Sequence, residues 1–113
     1  MKNKVILLQL EGSCMTSTLH GFGQKKIFNT QERCNSQLMQ SAMGILNSGD
    51  EVGYHLHPTI EKFYYFENGN TIFTIDGYSF SLASGTFNKV RANTFHSMQI
   101  SENTRFIFRG TAL

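Results

Sequence analysis

The chain has 113 residues, with 10 Lys and Arg against 8 Asp and Glu, four His, two Cys, one Pro and no Trp. That length fits one domain, and 30 Leu, Ile, Val and Phe residues are too many for a disordered chain, while none of their runs approaches the roughly 18 apolar residues of a membrane span. A net charge of +2, with Lys25-Lys26 as the longest basic run, lacks the clustered cations that a nucleic-acid partner requires.

In chain order, Val5-Ile6-Leu7-Leu8 is broken by Gln9 and falls short of the roughly 7–15 residues of a signal-peptide core, so it reads as a first β-strand. As an apolar edge near the terminus, Val5–Leu10 is the candidate interface or swapped element of a homodimer. Cys14 and Cys34 have no CxxC spacing and are expected as reduced thiols of a cytoplasmic protein. Residues 11–36 are polar and carry Gly12, Gly21 and Gly23, which predicts an N-terminal arm (1–36) with one or two edge strands ahead of the main body at 37–110. Gly21-x-Gly23 has neither a third glycine nor a following helix, so it is not a dinucleotide loop. Gln37–Leu46 has apolar residues at helical spacing, but Gly44 interrupts it and its neighbours are β-like, so a strand is expected.

The second half alternates short aromatic and β-branched runs with turn chemistry. Lys62–Phe66 and Thr71–Asp76 flank Asn68-Gly69, the strongest short-range hairpin signal. Asp76-Gly77 predicts a second tight turn before Tyr78–Leu82, and Ala83-Ser84-Gly85 a third break before Thr86–Val90. Phe95–Ile100 and Arg105–Arg109 complete the set. Strands every 8–12 residues indicate an all-β sandwich or barrel.

Two of the four histidines stand in the stretch Gly53–Glu61, and a third, His96, in the run Phe95–Ile100. His55 and His57 are two apart, so in a strand both imidazoles leave the same face. Pro58 ends that strand, and if Thr59 and Ile60 only bridge the bend, Glu61 can return beside the rings. His96 lies in a later strand that antiparallel pairing can carry across. Three imidazoles and a carboxylate suit a divalent transition ion such as Mn, Fe, Co, Ni, Cu or Zn. By strand parity, Met98 and Ile100 share the face of His96.

The spacing resembles the two motifs of the cupin superfamily, and specifically its small single-domain, RmlC-like members. Gly49-x5-His55-x-His57-x3-Glu61 follows the first motif, whose closing glycine is Gly69, one residue late; the nominal position is Asn68. Gly85-x5-Arg91-x-Asn93-x2-His96-x3-Ile100 keeps the spacing of the second, with Arg91, Asn93 and Ile100 in place of Pro, Gly and Asn. The resemblance implies a double-stranded β-helix, or jelly-roll barrel, with His55, His57, Glu61 and His96 as metal ligands facing a small pocket. Gln40, Tyr54, Tyr65, Arg91 and Met98 are the candidate ligand-binding residues. It implies a small-molecule ligand and isomerase-like chemistry on a sugar phosphate, nucleotide sugar or other small polar substrate. A metal-dependent dioxygenase and a non-catalytic binding or sensor module are the alternatives.

Overall fold

The computed structural model describes residues 15–18 and 21–113. Val5–Leu10, Cys14 and His20 lie outside them. Eight strands follow in order: β1 (Thr16–Ser17), β2 (Gln24–Thr30), β3 (Leu38–Leu46), β4 (Glu51–His55), β5 (Ile60–Ile75), β6 (Tyr78–Ala83), β7 (Thr86–Val90) and β8 (His96–Ala112), with one 3-10 turn at Gln31–Arg33. No helix among the described residues is long and apolar enough to cross a membrane. Of Gln37–Leu46, expected as strand, Leu38–Leu46 is strand. Gly44 is the reason that strand can lie where it does, because a Cβ there would sit 2.4 Å from the Phe106 ring opposite it.

All pairings are antiparallel, in the order β1-β2-β3-β8-β5-β6, with β4 added to β8 and β7 to β5. The two longest strands build both layers. The first half of β5, Lys62–Phe66, lies between β7 and the Phe106–Gly110 end of β8. Its second half, Asn70–Ile75, lies between β6 and the His96–Glu102 end of β8. The halves face each other across one core of Leu46, Val52, Tyr64, Phe66, Phe73, Val90, Met98, Ile100 and Phe106.

Two expectations change here. Asn68-Gly69 does not close a hairpin: β5 runs through it, and the register against β8 shifts repeatedly between Phe66 and Thr71. Gly69, at φ +85°, forms a bulge that bends the strand from one layer to the other, and a Cβ there would meet the Asn103 carbonyl oxygen at 2.3 Å. The runs Phe95–Ile100 and Arg105–Arg109 are likewise parts of one strand, β8. The turn at Asp76-Gly77 forms as expected, with both residues at positive φ, as a primed hairpin turn requires.

Candidate metal centre

His55 ends β4 and His96 begins β8, and the two are direct cross-strand partners. His57 follows two residues later, its carbonyl accepting from the Asn93 amide at 2.7 Å, where Asn93 takes φ +61° in the turn before β8. The rings lie 4.3 Å (His55 to His96), 5.1 Å (His55 to His57) and 5.7 Å (His57 to His96) apart, centroid to centroid. One nitrogen from each falls within 4.8 Å of the others. Two nitrogens sharing an ion at about 2.1 Å each stand no more than about 4.2 Å apart, so small side-chain rotations close the site.

The surroundings set the rings for ligation. His55 Nδ1 lies 2.7 Å from the Gly53 carbonyl oxygen, and His96 Nδ1 lies 3.0 Å from that of Thr94. A carbonyl only accepts, so each Nδ1 is the donor and the lone pair of the neutral ring is on Nε2. His96, 1% exposed, also stacks in parallel on Phe73 at 6.0 Å. The donor set, three imidazoles, fits a divalent transition ion.

Glu61 does not join them. Alternation along β5 turns Lys62, Tyr64 and Phe66 into the barrel, so Glu61 points to the outer face, where its carboxylate meets Lys89 Nζ at 3.7 Å. The glycine of the first motif explains the displacement. With Gly69 as the residue in the left-handed conformation, counting back through six residues reaches Lys62, not Glu61. A one-residue offset exchanges the faces of a strand, so an ammonium occupies the register position that the motif gives to a carboxylate.

A cavity of about 310 Å³ opens beside His57. Lys25, Gln40, Lys62, Tyr64, Met98 and Phe108 are among its walls. Of the ligand-binding residues expected from the sequence, Gln40 and Met98 line this cavity. Tyr54 does not: it is exposed, stacks on Phe95 at 5.5 Å, and accepts the Gly77 amide at its hydroxyl. Tyr65 is on the outer face with Glu61, paired across the sheet with Phe87 and Ile107. Arg91 is exposed in the turn after β7 and does not line the cavity.

Lys25, Lys62 and Tyr64 were not anticipated from the sequence, which held a signal for Lys62 alone. Gly69 standing one residue late marks the offset that brings Lys62 inward. Each inward lysine also stands opposite a glycine, Lys25 across from Gly44 and Lys62 across from Gly110. Burial, and then the charge of Lys25, bring the Lys62 ammonium down to about 8. Burial pushes the Tyr64 phenol up.

No protein-family model matches the chain, and no curated protein matches it in sequence. Solved structures do. A predicted oxalate decarboxylase from Thermotoga maritima superposes with a TM-score of 0.85 at 17% identity, covering 96% of this chain and 100% of that one. An RmlC-like cupin from Shewanella frigidimarina gives 0.80 at 17% identity over 100% and 96%. KdgF from Halomonas sp. gives 0.77 at 14% identity over 93% and 94%. Identities this low speak for architecture alone, and that architecture agrees with the strand order and the shared core: the chain has the jelly-roll fold of the cupins.

Proposed function

We propose that the protein is a metal-dependent cupin acting on a small polar molecule, with His55, His57 and His96 holding a divalent transition ion at one end of the cavity. The observation that carries this reading is the convergence of three imidazole nitrogens within 4.8 Å, two of them on rings whose tautomer is set by a backbone carbonyl. A bound ion supplies Lewis acidity toward a substrate oxygen or a water. The chain's own residues do the rest. Gln40 and the two lysines offer polar contacts that orient a ligand, while Tyr64, Met98, Phe106 and Phe108 shield it from solvent.

At about 310 Å³ the cavity stands at the small end of the range for ligand sites, which favours a compact substrate over a nucleotide sugar. Isomerisation of such a substrate needs no oxidant, so turnover measured under anaerobic conditions would separate it from oxygenase chemistry. Elemental analysis of protein prepared without chelator or nickel resin tests the centre itself. The wild type is expected to carry close to one transition ion per chain, and the His55→Ala/His57→Ala variant almost none. Equal, sub-stoichiometric metal in both would falsify the assignment.

A further inference from the structure

The cavity is lined by two cations and by no Asp or Glu among the described residues. Each lysine faces inward opposite a glycine, and a Cβ at Gly110 would lie 3.3 Å from the Lys62 side chain. The two ammonium groups converge on one stretch of wall. Lys25 Nζ donates to Gln40 Oε1 at 3.0 Å, and Lys62 Nζ stands 4.5 Å above the Phe108 ring, Gln40 and Lys62 both being cross-strand partners of Gly110. The acid nearest in sequence, Glu61, is on the other face with Lys89. Two cations held in a low-dielectric site beside an amide and an aromatic face form a receptor for an anion.

From this arrangement we propose that the cavity takes a small organic carboxylate with an apolar body, its head between Lys62 and Lys25 and its far end toward His57. The inference rests on the reading of this cavity as the substrate site and names the class of substrate. A phosphate dianion calls for many donors, as helix N-termini, glycine-rich nests and arginine forks provide, and this wall has two ammonium groups and one amide. A carboxylate is satisfied by that set. The remaining wall, including Met39, Ile45, Met98, Phe106 and Phe108, suits an aliphatic or aromatic body rather than a polyol. The Lys62 ammonium is lowered first by its burial and then by the charge of Lys25, which agrees with a site that favours a counter-ion.

Calorimetric titration of the zinc-loaded protein with hexanoate, hexanamide and inorganic phosphate tests the proposal. Hexanoate is expected to bind, with the amide and phosphate each about tenfold weaker or more. Lys62→Met and Lys25→Met are each expected to weaken hexanoate about tenfold, while thermal midpoints near wild type show that the variants are folded. Hexanamide binding as tightly as hexanoate, phosphate binding more tightly, no hexanoate binding at millimolar concentration, or folded lysine variants that bind as wild type does, each overturns the proposal. Failure of the metal reading looks different. A wild type that takes up no zinc but still prefers hexanoate to hexanamide sinks the metal centre and supports the carboxylate site.

Discussion

Lys62 shows how much one side chain's direction decides. Its neighbour Glu61 has the charge that a metal site wants, but strand alternation gives the interior to the lysine. Exchanging the sign of that inward group should therefore act directly on the anion site. Lys62→Glu is expected to weaken hexanoate more than about tenfold by calorimetry, whereas Glu61→Gln, on the outer face, leaves hexanoate affinity unchanged. The same lysine sets a pH dependence. The titratable groups around the cavity with it are Lys25, His57 and Tyr64. With its folded value near 8 and its unfolded value near 10.5, Lys62 is protonated in both states below pH 8, and the cost of burying the charge is fully present there. Between pH 8 and 10.5 the folded chain loses the proton first, so stability rises with pH. Tyr64 opposes this above pH 10, where its phenol ionises more readily in the unfolded chain. Urea midpoints should climb from pH 7 to a maximum near pH 10, by about 2 kcal/mol, and Lys62→Met should flatten the climb.

At the scale of elements, the hairpins and histidines were legible where the signal is local. Asp76-Gly77 reads as a turn because both positive-φ residues lie in the turn itself. His55, His57 and His96 converge as the motifs imply, because alternation and one cross-strand pair are enough to place them. Asn68-Gly69 shows the limit of such reading. The dipeptide asks for a left-handed residue, and Gly69 supplies one, but whether the chain reverses or merely bends depends on β8, distant in sequence. Glu61 was misplaced for the same reason, since the bulge absorbs the extra residue and the ligand count then starts one place too early. This assigns Gly69 a cost beyond conformational strain. Gly69→Ala is expected to lose about 3 kcal/mol or more by urea denaturation, because the added methyl meets backbone at Asn103. Gly49→Ala has the same sign of φ but open space, and should lose only about 1–2 kcal/mol.

Over the whole molecule, β5 and β8 belong to both layers, so neither sheet can open without disrupting the other. Unfolding should follow a single transition by circular dichroism and by Tyr fluorescence, and amides of Phe63–Phe66 and Phe106–Phe108 should be the slowest to exchange, ahead of the edge strand β1. An exposed apolar row, Phe87–Tyr65–Ile107, crosses the outer face, and the homodimer proposed from the sequence would find apolar surface there. Light scattering at micromolar concentration reads this directly, with a 12.8 kDa particle speaking against it. The bulge at Gly69 also bears on how such barrels diverge. Because the bulge fixes the register of everything from Phe63 onward, removing Lys62 altogether would slide Glu61 into the place across from Gly110 and shorten only the bend after Pro58. A single codon deletion would then replace one of the two ammonium groups on the cavity wall with a carboxylate. In this architecture, chain length between two fixed turns is as much a determinant of chemistry as the identity of any residue.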